Sequence, residues 1–319
     1  MRVVRMTAFG GPEVLVPGEA PDPDPDAGQV VVRVAYANIT FVETQYRRGP
    51  FGPFQVEPPL VPGNGVGGVV TRVGTKVDPG LIGERVVASL TGSGGYAEQV
   101  AVDAAALLRV PDGVGLDDAV AVLADGRTAL LVLDSAGVGE GERVLVEAAG
   151  GGVGSLLVQL ARAKGATVVA AAGDGRKREL AADLGAEVTV DYRDDRWIED
   201  VRRRTGGVDV VCDAVGGAVG RAAFDLLGPG GRFVPYGAAG GVFTEVPAEL
   251  ADERGISVVS WSPGEPSRLR DYARQALTEV AQGRLRPVIG QRFPLERAAD
   301  AHALIESRQA LGKTLLDAR

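Results

Sequence analysis

The sequence predicts an α/β protein: a doubly wound parallel sheet joined to a second, mainly-β domain. Three observations carry this. Residues 1–118 hold short β-branched runs punctuated by Gly and Pro, residues 119–284 alternate strand-length and helix-length segments, and residues 285–319 return to short strands around one helix. With 319 residues and 45% hydrophobic content, the chain is long enough for two cores.

In the first domain the runs Gln29 to Ala35, Gly68 to Val73, Glu84 to Ser89 and Tyr96 to Val102 are separated by turns such as Val77-Asp78-Pro79-Gly80. Short strands with such punctuation suggest a barrel-like antiparallel domain. Pro21 to Asp26, an alternation of Pro and Asp, reads as a stiff exposed connection. From Asp117 the pattern changes. Helices are expected over Asp117 to Ala136, Gly154 to Lys164, Arg176 to Leu184, Arg196 to Arg204 and Val219 to Leu227. Strands are expected over Arg143 to Ala148, Thr167 to Ala172, Glu187 to Val190, Val208 to Asp213 and Gly231 to Tyr236. Such alternation builds a parallel sheet with right-handed crossovers. Val288 to Phe293, a helix over Glu296 to Glu306 and Thr314 to Leu316 then return to the first domain.

Composition excludes several functions. Lys and Arg total 34 against 42 Asp and Glu, a net charge of −8, which disfavours a nucleic-acid partner. The cluster Arg202 to Arg204, next to Glu199 and Asp200, reads as a solvated helix end. One cysteine, Cys212, and one histidine, His302, cannot supply a closed zinc shell. Cys212 falls in an apolar strand as an inert core thiol. No signal peptide and no membrane-spanning run is apparent, so a cytoplasmic location is expected.

One segment carries specific chemistry. The strand ending at Glu147 runs into Ala148-Ala149-Gly150-Gly151-Gly152-Val153-Gly154, and a helix follows at once. This is the context of a dinucleotide fingerprint, with Ala149, Gly151 and Gly154 at its three positions. Gly151 lets the backbone approach a pyrophosphate and Gly154 lets helix and strand pack closely. The N–H groups of the new helix, with Gly152 and Val153 in the turn, face the phosphates. The next strand ends at Gly173 rather than at a carboxylate, and Arg176 and Lys177 follow. That favours NADPH, with the two cations on a 2′-phosphate; the alternative is a solvated first turn of helix. Asp174 either binds a ribose or caps that helix.

These motifs make the chain recognisable. Met6-Thr7-Ala8-Phe9-Gly10-Gly11-Pro12-Glu13-Val14-Leu15, Asn38 to Gly49, Pro62-Gly63-Asn64-Gly65-Val66-Gly67-Gly68, Gly95-Tyr96-Ala97-Glu98, the Ala148–Gly154 turn and Gly312-Lys313-Thr314 together resemble the zinc-independent quinone oxidoreductase branch of the medium-chain dehydrogenase/reductase family. The resemblance implies a Rossmann cofactor domain at 119–284 and a GroES-like catalytic domain at 1–118 and 285–319. Zinc-dependent members carry Gly-His-Glu where this chain has Gly63-Asn64-Gly65. The resemblance implies NADPH-dependent reduction of quinones or α,β-unsaturated carbonyls, in which hydride attacks carbon and an enolate oxygen needs only hydrogen-bond donors. It places Thr40 and Tyr46 as catalytic candidates, with Thr40 and Gln45 standing where the family commonly has Asn and Tyr. It places Thr128 near the nicotinamide, Tyr192 at the 2′-phosphate, Tyr236 and Gly237 beside the nicotinamide ribose, and Lys313 as a further cofactor contact. His302 lies in a helix that is structural in the family. A homodimer is implied. Two other uses fit the resemblance: a cofactor-binding protein without turnover, as crystallin-like and RNA-binding relatives are, and a natural-product tailoring reductase or cyclase. Tyr36, Phe41, Tyr46, Phe51, Phe54 and Trp261 are the aromatic residues available to shape a bulky pocket.

Overall fold

The computed structural model describes residues 1–51, 57–259 and 266–319; Phe54 and Trp261 lie outside them. The chain divides into two compact units, Met1–Asp125 with Ala273–Arg319, and Gly126–Tyr272.

The first unit opens with a hairpin, β1 (Arg2–Met6) against β2 (Leu15–Glu19). β3 (Gln29–Asn38) is its long central strand. A helix the sequence reading did not anticipate, α1 (Phe41–Arg48), follows at once. Thr40 and Glu43 explain it, because Thr-x-x-Glu is the pairing that closes a helix N-terminus upon itself. β4 (Gly65–Val73), β5 (Arg85–Ser89), β6 (Gln99–Asp103) and β7 (Leu107–Arg109) complete this stretch. β3 pairs antiparallel with β4 on one edge, and β6 takes the N-terminal half of its other edge. The alternation of β3 turns Val30, Val32 and Val34 into a buried apolar cluster shared with Val66, Val70, Tyr46 and Tyr96. α2 (Leu116–Ala136) leads out of the unit.

The second unit holds six parallel strands: β8 (Arg143–Glu147), β9 (Thr167–Ala171), β10 (Val188–Val190), β11 (Val208–Asp213), β12 (Leu227–Pro235) and β13 (Ser257–Val258). Their spatial order is β10-β9-β8-β11-β12-β13. α3 (Gly152–Ala163), α4 (Gly175–Asp183), α5 (Trp197–Thr205), α6 (Gly217–Phe224) and α7 (Ala248–Glu253) lie between them in sequence. The continuous apolar runs of β8, β9 and β11 are buried along their length, as strands covered on both faces must be. Past α3 and α4 the chain turns at Gly165 (φ 81°) and Gly185 (φ 109°), left-handed positions that glycine takes without a Cβ penalty. β12 begins four residues before the expected Gly231 and α6 ends at Phe224. A register shift between Val208 and Val210 lets Leu227 pair with Val208 ahead of the Pro229-Gly230 kink. α8 (Pro266–Ala281), also unanticipated, is long but mostly polar.

The chain then returns to the first unit through β14 (Ile289–Pro294), α9 (Ala298–Glu306) and β15 (Lys313–Asp317). The expected helix start at Glu296 is a 3-10 turn, Leu295–Arg297, entered from Pro294. β15 pairs antiparallel with the C-terminal half of β3, so β3 holds three neighbours and the sheet runs β14-β15-β3-β4-β5-β7. No helix among the described residues is long and apolar enough to cross a membrane.

Candidate functional site

The strand order of the second unit reverses direction between β8 and β11, and ligands of open α/β sheets bind outside the carboxyl ends at such a point. The glycine-rich turn lies there. Ala148, not Ala149, carries the left-handed backbone, with φ 48°. Gly151 is the N-cap of α3 and has no side chain to satisfy the helix's first N–H groups. A Cβ on Gly151 would meet only the Ala148 carbonyl oxygen, at 3.2 Å, so open space faces the helix end. Gly154 is different: a Cβ there would lie 2.3 Å from the Ala148 oxygen and 2.8 Å from Ala149 Cα. A Cβ on Gly150 would lie 2.4 Å from Lys177 Cβ, which draws α4 against the turn. The residues therefore fit a pyrophosphate: an uncapped helix N-terminus, a glycine that leaves room in front of it, and a glycine that closes the turn behind it.

Beyond β9 the backbone passes Gly173, and Asp174 caps α4 by accepting from the Arg176 N–H at 2.8 Å. The capping alternative for Asp174 is the one observed. Over Gly173 lie Tyr192 and Arg193, since a Cβ there would meet Tyr192 Cε2 at 3.0 Å and Arg193 Cδ and Nε at 3.1 Å each. Lys177 thus packs on the turn at Gly150, and Tyr192 covers Gly173 together with Arg193, a member that sequence reading missed. Its one signal was position beside Tyr192. Arg193 is held by Asp191 through hydrogen bonds of 3.1 and 3.0 Å. Arg176 is exposed and its nearest acidic partner is Asp174, at 3.6 Å.

Below the switch point are two carboxyl groups that sequence reading also missed. Glu147 ends β8 and Asp213 ends β11, and both are fully buried. Glu147 accepts from the Val215 N–H at 3.0 Å; Asp213 accepts from the Gly216 N–H at 2.7 Å and from the Thr244 hydroxyl at 2.6 Å. Burial, and after it the Asp213 charge, holds the Glu147 carboxyl well above the usual carboxylate range. The pair anchors the loops that follow β11. The Asp213 carbonyl receives the N–H groups of Tyr236 and Gly237, at 2.9 and 3.1 Å, which sets those two residues beside the end of β11. Cys212, between these acids, is buried with its thiol pushed up to about 12 by burial. Thr128, on the part of α2 that belongs to this unit, is half-buried.

The remaining candidates belong to the first unit. Thr40 is half-buried at the N-terminus of α1. Its hydroxyl donates to Glu43 Oε2 at 2.8 Å, its N–H donates to the same oxygen at 2.7 Å, and Asn64 Nδ2 donates to its hydroxyl oxygen at 3.2 Å. Glu43 is buried, and burial raises its carboxyl to about 7 despite the opposing pull of Thr40, Lys313 and the Asn64 backbone. Tyr46 lies in the apolar core, edge-on to Phe9 with ring centroids 5.7 Å apart. Lys313 opens β15 and its ammonium sits 2.8 Å from Asp125 in a buried ion pair. His302 is buried in α9, sharing a 2.8 Å hydrogen bond with the Tyr96 hydroxyl. Among the described residues no cluster of three or more His, Cys, Asp or Glu side chains could hold a metal ion.

Known proteins place this arrangement. Residues 152–279 match the zinc-binding dehydrogenase family and residues 26–112 match the alcohol dehydrogenase GroES-like domain. Where zinc-dependent members carry His and Glu, this chain has Asn64 and Gly65. The quinone oxidoreductase of Homo sapiens is 32% identical over 321 residues, covering 99% of this chain and 97% of that protein. A 2-haloacrylate reductase from a Burkholderia species is 33% identical, covering 96% of each. The crystal structure of Escherichia coli quinone oxidoreductase complexed with NADPH superposes with a TM-score of 0.91 at 28% identity, covering 99% of this chain and all of that one. With both units matched end to end, the chain belongs to the zinc-independent quinone oxidoreductase branch of the medium-chain dehydrogenase/reductase family.

Proposed function

We propose that this protein is an enzyme that reduces quinones or α,β-unsaturated carbonyls with NADPH. The observation that carries the reading is the uncapped N-terminus of α3 behind Gly151, with Lys177, Tyr192 and Arg193 grouped around Gly150 and Gly173. Bound NADPH supplies hydride. The backbone N–H groups of Gly152, Val153 and Gly154, helped by the dipole of α3, hold the pyrophosphate across the turn from Ala149 and Gly151. Lys177, with Arg176, Tyr192 and Arg193, holds the 2′-phosphate; Gly173, having no side chain, lets Tyr192 and Arg193 close over the backbone there. Tyr236 and Gly237 flank the nicotinamide ribose, and Thr128 and Lys313 complete the cofactor contacts. The GroES-like domain of residues 1–118 and 285–319 supplies the proton. Thr40 is the half-exposed hydroxyl among its candidates and donates to the substrate oxygen as charge develops there, while Tyr46 supports α1 from the core.

The relatives' names divide between quinone and 2-haloacrylate reduction, so both substrate classes are assigned here. The protein works in the cytoplasm as a homodimer and takes no nucleic acid, in line with its net charge of −8. Exposed Val258 on edge strand β13, with Val242 and Phe243, supplies the apolar surface for such an assembly. Anaerobic mixing with NADPH and a panel of 1,4-quinones and enones tests the function, read as loss of nicotinamide absorbance. No consumption with either class would refute it.

A further inference from the structure

We propose that Glu43 is the proton reservoir of the reduction, passing its proton through the Thr40 hydroxyl to the substrate oxygen that becomes negative on hydride transfer. The proposal rests on the reductase reading above. A glutamate that closes a helix N-terminus ordinarily stands in water, whereas Glu43 is only 5% exposed. Its partner Thr40 is the open end of the pair. A hydroxyl has one proton to give and two lone pairs. Asn64 Nδ2 occupies one lone pair, at 3.2 Å. When Glu43 is ionised the Thr40 proton is spent on Oε2, at 2.8 Å. When Glu43 carries a proton the direction reverses: the carboxyl donates to the second lone pair and the Thr40 proton is released toward a substrate.

The step balances. The Thr40 O–H bond breaks as an O–H bond forms on the substrate oxygen, and the Glu43 O–H bond breaks as that of Thr40 reforms. Both electrons arrive with the hydride of NADPH. Glu43, left as the carboxylate, recovers a proton from water through Thr40 once product departs. One proton is consumed per turnover.

The surroundings suit a group that must hold and release a proton. Lys313 approaches from β15, its charge shared with Asp125, and draws Glu43 toward ionisation. Burial opposes this and dominates, setting the carboxyl near 7. Behind Glu43 stands the Tyr96 hydroxyl, whose acidity falls first through burial and then through the Glu43 charge. Arg47, paired with Glu306 on α9, acts on both Tyr96 and His302. Burial holds His302 neutral, lowering it to about 3. Its Nδ1 is buried with no hydrogen-bond partner, and an orphan lone pair is more tolerable than an orphan N–H. The proton therefore sits on Nε2 and is donated to Tyr96, which leaves the Tyr96 proton free to turn toward Glu43. Tyr96 and His302 are positioning residues for the reservoir.

The test pairs Glu43→Gln with wild type in two measurements. Infrared spectroscopy of the cofactor-free protein is expected to show a protonated-carboxyl band with a midpoint close to 7, absent from the variant. The carboxyl of Glu147, also held up by burial, is common to both proteins and cancels in their difference spectrum. In steady state, kcat of the wild type should fall as pH rises above about 7. The variant should lose roughly 10- to 100-fold in kcat and lose that pH dependence, with KM for NADPH and the folded structure retained. Glutamine keeps the acceptor for the Thr40 N–H, so α1 keeps its cap. A variant with wild-type kcat and pH profile overturns the proposal, as does a wild type without the titrating band. A protein that shows the band yet reduces no quinone or enone brings down the reductase reading, and proton delivery with it, while leaving the Glu43 titration standing.

Discussion

Two glycines three residues apart make opposite predictions for the same added methyl group. At Gly154 the methyl would sit 2.3 Å from the Ala148 carbonyl oxygen and 2.8 Å from Ala149 Cα. Both are backbone atoms of a turn already bent through a left-handed alanine, so neither can give way without moving α3 off β8. Overpacking of this kind costs about 1–3 kcal/mol, and Gly154→Ala should lie at the upper end. For a domain of this size that is a fall of roughly 2–4 °C in Tm per kcal/mol. At Gly151 the backbone is already extended, with φ −87° and ψ 178°, and the methyl meets a single atom at 3.2 Å. Gly151→Ala should therefore fold with a loss below about 1 kcal/mol, within the range of N-cap substitutions. Its methyl instead takes the space in front of the helix N–H groups, and NADPH affinity should fall at least tenfold, or about 1.4 kcal/mol. Thermal unfolding followed by calorimetric titration with NADPH separates the two effects. A Gly151→Ala protein that binds NADPH as tightly as wild type would refute the placement of the pyrophosphate on this turn.

Other substitutions probe the remaining parts. Lys177→Ala should weaken NADPH by roughly 10- to 100-fold, as loss of a charged hydrogen bond does, and leave NADH nearly unchanged; equal losses for both dinucleotides would sink the 2′-phosphate assignment. Lys313→Met strands Asp125 in the interior and should cost about 3–5 kcal/mol in denaturant unfolding, while Lys313→Met with Asp125→Leu should recover most of it. Recovery failing in the double variant would show that the pair is needed for more than mutual neutralisation. Glu43 also links stability to pH. Its folded-state value is raised from 4.5 to about 7, so its contribution is complete below about 4.5 and is lost as pH rises through 7. The loss amounts to about 3 kcal/mol, and stability curves of wild type and Glu43→Gln should diverge across that window; parallel curves would contradict a buried, titrating Glu43.

The alternation of strand and helix after Asp117 was legible because parallel strands covered on both faces leave continuous apolar runs, and Ala148–Gly154 was legible because a phosphate turn needs glycines at fixed spacing. Helix α1 was not legible, although Thr40 and Glu43 have the spacing of a helix-closing pair. Eight residues between two strands give too short a period, and the polar face of Phe41–Arg48 resembles a loop. Arg193 was illegible for another reason. Its relation to Gly173 is set by where β10 lies beside β9, and strand order is not written in local sequence. Glu147 and Asp213 fall in the same class. Each ends an apolar strand, where a carboxylate reads as the first solvated residue, and only the pairing of β8 with β11 shows them buried side by side.

Both units bury charged groups beside residues of the proposed site. An apolar replacement of similar volume would often serve stability as well as Lys313–Asp125 does, because desolvation offsets most of the attraction between buried ions, and the two carboxyls Glu147 and Asp213 repel when both are charged. Their value has to be sought in what they hold in place. Asp213 fixes Gly216, Tyr236 and Gly237 through its own side chain and carbonyl, and Glu147 fixes Val215, so the loops at the switch point are tied to the sheet. In the first unit Lys313 draws Glu43 toward ionisation, with Asp125 sharing its charge. Removing Asp125 would therefore strengthen the pull of Lys313 on Glu43 and lower its carboxyl. Asp125→Asn is thus expected to shift the descending limb of the kcat profile to lower pH, the direction opposite to Lys313→Met, and two variants moving that limb the same way would exclude Coulombic control of Glu43 by this pair.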